Sequence, residues 1–182
     1  MTTSATGRQT EPEVSRGQRL RIVLVLGSLI AIGPLTIDMY LPALPAITED
    51  LRSGPTAVQL TLTGTLVGLA FGQLLLGPLS DTFGRRRPLL AGLGVHVVAS
   101  LLCAVAPTIA MLGVFRVLQG FGIAAAAVVA TAVLRDLFSG NTFARLLSRL
   151  HLVMGAAPIL APTLGGWVLK WTRWPGVFVT LA

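Results

Sequence analysis

Gly77-Pro78-Leu79-Ser80-Asp81-Thr82-Phe83-Gly84-Arg85-Arg86-Arg87 lies between two long apolar runs. That position makes it a very short loop joining two membrane helices. One carboxylate and three guanidiniums crowd into a turn bracketed by glycines. A loop that merely connected two helices has no need of that chemistry. Gly77 allows close approach of a neighbouring helix, and Gly84 permits a tight turn. Asp81 can pair with Arg85 or cap a helix N-terminus.

Composition supports a membrane setting. The chain is 53% hydrophobic and 12% charged, with a mean hydropathy of +0.79. Soluble domains carry about a quarter charged residues, and apolar runs of about twenty residues are the length of a membrane span. The net charge of +7 does not point to nucleic acid, because the arginines flank apolar runs and line no polar face. In a membrane protein, excess arginine is a topology signal. The single cysteine, Cys103, lies in an apolar run, which excludes a disulfide framework or a metal cluster and reads as a small packing residue. Neither a nucleophile–base pair nor metal-ligand spacing appears, so an enzyme is not expected, nor any cofactor.

Residues 1–19 are polar and read as a disordered cytoplasmic tail. Residues 20–182 read as one all-α integral membrane bundle. The first apolar run is too long for a signal-peptide core, and no A-x-A-like site ends it. Spans are expected at about residues 21–44, 56–79, 88–105, 109–134 and 146–169. Polar loops are expected at 46–55 and around Arg135, Asp136, Asn141 and Arg145, with a short loop at 170–175. From Gly176 fewer than ten apolar residues remain, against about twenty needed to cross a hydrocarbon core. The expectation is therefore five complete spans and the start of a sixth, the N-terminal part of something longer.

Charge sets the expected orientation. With the N-terminus in the cytoplasm, that side carries Arg8, Arg16, Arg19, Arg21, Arg85, Arg86, Arg87, Arg135, Arg145 and Arg149. The other side carries Arg52, Lys170 and Arg173. An excess of ten to three favours the N-terminus inside. Tyr40, Trp167, Trp171 and Trp174 then fall near the outer interface and read as anchors. Small residues also recur along the helices: Gly64, Gly68 and Gly72 at four-residue spacing, then Gly120, Gly122 and Ala124 to Ala127. Such faces suit close helix packing or helices that rock against one another.

Two ionisable residues lie inside spans. A carboxylate at the centre of a membrane helix costs about 2.5–3.5 kcal/mol on insertion scales. Asp38 is about seven residues from the outer end of span one, and Arg116 about seven into span four, each roughly 10 Å deep at 1.5 Å per residue. At matched depth they read either as a proton-coupling pair, with Asp38 also a contact for a cationic drug, or as a static ion pair. Gln119, at i+3 from Arg116, shares its face and can orient the guanidinium. Gln59 and Gln73 are weaker candidates. His96 and His151 lie inside spans and can titrate near neutral pH, although hydrogen-bonded packing is the commoner role. Asp136 reaches the membrane level of Asp81 and Arg85, which makes an inner-face network plausible. In span five, Pro158, Pro162, Gly165 and Gly166 interrupt the backbone ladder and imply a kinked, small-faced helix.

In combination these stretches resemble the major facilitator superfamily, and within it the Bcr/CflA drug-resistance subfamily. The resemblance rests on Ile37-Asp38-Met39-Tyr40-Leu41-Pro42-Ala43-Leu44-Pro45, on Gly77 through Arg87, on Arg116-Val117-Leu118-Gln119-Gly120 and on Ala157-Pro158 through Gly165-Gly166. Leu134-Arg135-Asp136 follows span four as in that subfamily. Thr82 departs from the family pattern, where a basic residue often follows the Asp, and Ala161 stands for the glycine of a Gly-Pro pair. The resemblance implies a twelve-span fold of two six-helix bundles, of which this is the first, in a bacterial inner membrane. It implies proton-coupled export of bicyclomycin- or chloramphenicol-type drugs, with the proton gradient as energy source. Arg116 and Asp38 resemble the coupling residues, while Asp81, Arg85 and Asp136 resemble an inner gate. The expected partners are the lipid bilayer, protons, a small hydrophobic drug and a missing C-terminal six-span bundle, without nucleic acid. A non-transporting bundle that pairs with a partner chain is the alternative.

Overall fold

The structure, a computed structural model, describes residues 15–182. It is all helical: α1 (Arg16–Asp38), a 3-10 turn (Leu41–Ala43), α2 (Leu44–Asp50), α3 (Pro55–Thr82), α4 (Arg86–Ala104), α5 (Ile109–Leu137), α6 (Gly140–Trp171) and α7 (Pro175–Leu181). Five helical stretches among the described residues are long and apolar enough to span a membrane, the first running on from α1 through α2.

Several expected boundaries shift, each for a local reason. The expected tail lies largely outside the described residues, but α1 already begins at Arg16. Ser15 caps it by accepting from the Gln18 backbone N–H, and the Gln18 side chain reaches back to the Ser15 N–H. That reciprocal box starts the helix before the apolar run does. Residues 46–50, expected as loop, are helical because Pro45 sits in the first turn of α2, where its missing N–H costs nothing. Arg135, Asp136, Asn141 and Arg145 likewise lie in α5 and α6, which leave only Phe138 and Ser139 between them. Polarity alone marked those residues as loop, and helix continuation overrode it.

The most buried span is α5, which lies between α3 and α4. The α3–α5 crossing is made by glycine. A Cβ on Gly68 would strike the Val117 carbonyl, and one on Gly120 the Thr65 carbonyl. Backbones meet directly there, the arrangement that dispersion and close contact favour where lipid supplies no hydrophobic drive. Core residues form a small cluster of Leu76, Ala124 and Ala125 between α3 and α5 and two larger clusters. One larger cluster joins Tyr40, Ile47, Val58, Leu112, Trp174, Val177 and Phe178, and the other Leu26, Ile30, Leu134, Leu146 and Leu150. Tyr40 and Trp174, expected at the lipid interface, are therefore core residues. The Trp174 indole donates to Asp50 at 2.7 Å, and Arg173 reaches the same carboxylate oxygen at 2.6 Å. Trp167 and Trp171 do remain exposed.

Candidate transport cavity and charge clusters

Four helices each contribute one stripe to a single cavity of about 950 Å³. From α1 come Ile30, Gly33, Pro34, Ile37 and Asp38; from α3, Leu69, Gln73, Gly77 and Asp81; from α5, Ile123, Ala127, Thr131 and Arg135; and from α6, His151, Met154 and Pro158. The three- and four-residue spacings are those of one helix face. Most of this lining is apolar, and the few polar groups are spaced along it. Asp38 has no hydrogen-bond or ion-pair partner among the described residues. Its carboxylate is half-buried on the cavity wall at the last residue of α1.

Arg116 is not its partner. The guanidinium is fully buried behind the wall, where Nη1 donates to the Thr36 carbonyl at 3.2 Å and to Gln119 Oε1 at 2.7 Å. Its Nε and Nη2 find no acceptor. Instead the cation lies 4.5 Å from the Tyr40 ring centroid and 5.8 Å from that of Phe178. Cation–π contacts of this kind contribute about 2 kcal/mol when desolvated, which helps a buried cation without an acid beside it. The expected Asp38–Arg116 pair therefore does not form: the two lie near one level of the bundle, but Arg116 meets the inner side of α1 at Thr36 and Asp38 lies on the cavity side. Gln119 does orient the guanidinium, as expected, and its amide passes the chain on to Ser100 Oγ at 2.7 Å, which donates to the His96 carbonyl at 2.7 Å. His96 is a packing histidine: buried, with Nε2 donating to the Leu181 carbonyl at 3.3 Å. Sequence reasoning missed Tyr40, Thr36, Ser100 and Phe178. Only the aromatic character of Tyr40 and Phe178 was visible, and nothing in their spacing tied them to Arg116.

The charged cluster at the other end forms as expected and gains a member. Arg85 Nε donates to Asp136 Oδ2 at 2.9 Å, while Nη1 reaches Asp81 Oδ1 and Ser80 Oγ, each at 2.6 Å. The hydrogen bond to Asp136, then that to Asp81, raises the Arg85 guanidinium above its ordinary value, so it stays charged. One planar fork serves three acceptors on two helices, a geometry that lysine cannot copy. The turn beside it needs Gly84, whose φ is +78°. Gly77 behaves differently from its expected role. A Cβ there would meet nothing within 4 Å, and the residue lines the cavity.

Helix α6 runs unbroken through Pro158 and Pro162. Its small face, Ala157, Ala161 and Gly165, is buried, and a Cβ on Gly165 would strike the Met39 carbonyl. Gly166 has open space. Of the four expected kink residues, Gly165 makes the close approach and Pro158 lines the cavity. Both Gln59 and Gln73 are exposed, and of the two only Gln73 lines the cavity. Cys103 is buried in the core.

A multi-pass helical bundle with a largely apolar cavity on one side and an arginine–carboxylate clamp at one end defines a polytopic membrane protein. The chain belongs to the Major Facilitator Superfamily, whose profile matches residues 24–182. It is 43% identical over 166 residues to the uncharacterized MFS-type transporter YdgK of Bacillus subtilis, covering 90% of this chain and 41% of that protein. Against the bicyclomycin resistance protein homolog of Haemophilus influenzae it is 38% identical over 160 residues, covering 88% and 40%. Against the multidrug resistance protein MdtL of Escherichia coli the identity is 33% over 162 residues, covering 89% and 41%. These drug-resistance relatives agree with the Bcr/CflA resemblance. The chain spans about two fifths of their length.

Proposed function

We propose that this chain supplies five spans and the start of a sixth in the first six-span bundle of a proton-coupled multidrug efflux antiporter in a bacterial inner membrane, with the N-terminus in the cytoplasm. Relatives named for bicyclomycin and multidrug resistance support the substrate class. The observation that carries the reading is the unpaired Asp38 carboxylate on the wall of a 950 Å³ cavity. In apolar surroundings an ionised carboxylate attracts a drug cation or donor strongly, and protonation removes that attraction. Drug and proton then compete for one group, which is the minimum an antiporter requires. Arg116 acts from behind the wall. By holding the Thr36 carbonyl, two residues before Asp38, it fixes the last turn of α1 and with it the direction of the carboxylate. Gln119 holds Arg116 in turn.

The Asp81–Arg85–Asp136 cluster serves as half of an inner gate. The opposing half, and the other wall of the cavity, come from a second six-span bundle, whether on a longer chain or a separate one. The 182-residue chain alone has no enclosed path and is expected not to transport. Expression of this bundle together with the second bundle, joined or separate, in an efflux-deficient host tests the reading. Drug accumulation should fall in a manner abolished by an uncoupler, and Asp38→Asn and Arg116→Ala should each remove the effect. Full efflux in both variants would sink the assigned roles, and transport by the 182-residue chain itself would contradict the half-path.

A further inference from the structure

Proline brings no N–H to its helix and leaves the carbonyl four residues earlier without its usual donor. Two prolines do this on the cavity wall. Pro34 of α1 orphans the Ile30 carbonyl, and Pro158 of α6 orphans that of Met154; all four residues line the cavity. The two places lie side by side. Gly27 packs against Leu150 and Val153, and Met39 against Gly165, so α1 and α6 run parallel, with Ile30 beside Met154 and Pro34 beside Pro158. Nearby side-chain donors serve other carbonyls: Ser28 donates to Val25, Thr36 to Ile32 and His151 Nδ1 to Leu147. Gln73 of α3 lines the cavity at the same level, on the far side of α5, because Gly33 packs on Ile123 and Gly72 on Ala124. Its carboxamide has no hydrogen-bond partner among the described residues. The Thr131 hydroxyl, by contrast, is already spent on the Ala127 carbonyl.

We infer that the Ile30 and Met154 carbonyls, together with the Gln73 carboxamide, form an uncharged subsite for an amide group of the transported molecule. The inference rests on the reading of the cavity as the drug path. The orphaned carbonyls accept the N–H of the ligand amide, and the Gln73 nitrogen donates to its carbonyl oxygen. The rest of this layer is apolar, with Gly33, Ile123 and the two proline rings. An amide that entered it without partners would lose its hydration uncompensated. Water serves the orphaned carbonyls in the open cavity, and a ligand N–H that takes its place restores the bond. Ile30 and Pro34 lie about 12 and 6 Å inward of Asp38 at 1.5 Å per residue, and the orphaned carbonyl of α1 falls between them. The favoured ligand therefore carries a cation and an amide separated by that reach. Charge holds one end at Asp38, and hydrogen-bond geometry selects at the other.

The test measures binding to this bundle and the second bundle expressed together, joined or separate, in lipid nanodiscs. The probes are a benzamide joined through a hexamethylene chain to trimethylammonium, and its N-methyl derivative, which keeps the charge and loses the N–H. Wild type should bind the N–H compound more tightly, by roughly two- to tenfold for one hydrogen bond. Pro34→Ala/Pro158→Ala returns an N–H to each helix and occupies both carbonyls, so it should abolish the preference while the N-methyl compound binds as before. Pro162→Ala restores a helix bond on α6 at a residue that does not line the cavity, and should keep the preference. Gln73→Leu should weaken both compounds alike, since both retain the carbonyl oxygen. The inference is overturned by equal binding of the two compounds to wild type, by a preference that survives in Pro34→Ala/Pro158→Ala, by its loss in Pro162→Ala, or by unchanged binding in Gln73→Leu. Failure of the underlying reading looks different. Absent saturable binding of either compound would overturn the drug path and the inference together, whereas binding without the amide preference overturns the inference alone.

Discussion

Replacing Gly120 by alanine tests whether the α3–α5 contact is as close as the geometry demands. An added Cβ would collide with the Thr65 carbonyl oxygen and lie 2.8 Å from the Thr65 carbonyl carbon and 3.0 Å from the Leu69 nitrogen. Favourable contact needs about 3.5–4.0 Å, so the helices must separate by roughly an ångström. Overpacking of this kind costs about 1–3 kcal/mol. Alanine also gains up to about 1 kcal/mol of helix propensity over glycine, which would mask part of the loss. Gly94→Ala isolates that gain, because a Cβ there meets nothing within 4 Å. Gly120→Ala should therefore be less stable than Gly94→Ala by about 1–3 kcal/mol, measured by reversible unfolding in mixed micelles followed by circular dichroism. Gly68 packs on Val117 and Phe121 at the same crossing, so one separation relieves both clashes. The double variant Gly68→Ala/Gly120→Ala should cost less than the sum of the singles, by about 0.5 kcal/mol or more. Equal stability of Gly120→Ala and Gly94→Ala, or simple additivity at the crossing, would refute the reasoning.

Three further outcomes follow from the geometry. Gly84→Ala should cost about 1–2 kcal/mol in the same unfolding assay, because φ is +78° and no neighbour contributes to the strain; Gly84→Asn should cost less. Trp174→Phe keeps the edge-on contact with Phe178 but loses the donor to Asp50, and should lower stability by about 1 kcal/mol. Arg85→Lys keeps the charge and loses the fork. Its effect on stability should stay under about 1 kcal/mol, since the pairs are exposed, while uncoupler-sensitive efflux by the two bundles together falls.

Much of this molecule is legible in its sequence. Apolar run length and arginine placement suffice for the five long helices, because lipid leaves the backbone few alternatives. The Asp81–Arg85–Asp136 clamp was equally visible, since membrane levels follow from residue counting. What counting cannot supply is rotation about each helix axis. Asp38 and Arg116 share a depth but face opposite sides of α1, and Gly77 faces open space where Gly68 and Gly120 face backbone. Aromatic residues near helix ends were also ambiguous: Tyr40 and Trp174 turn inward because Thr61 and Asp50 offer hydrogen-bond partners there, whereas Trp167 and Trp171 have no such partner among the described residues and stay exposed. Charged residues at helix ends read as loop because polarity and helicity are independent in the last turn.

The central claim is that the four-stripe cavity is the drug path, and adjacent cysteines on α3 test it most directly. In a Cys103→Ala background, Gln73→Cys faces the cavity, whereas Leu74→Cys is turned away and 72% exposed in the native side chain. Labelling of the two bundles expressed together in membranes by a water-soluble maleimide should proceed at position 73 and be slowed by saturating drug, with position 74, turned to lipid, unreactive and indifferent to drug. Equal labelling at the two positions, or labelling at 73 that drug leaves unchanged, would contradict the account.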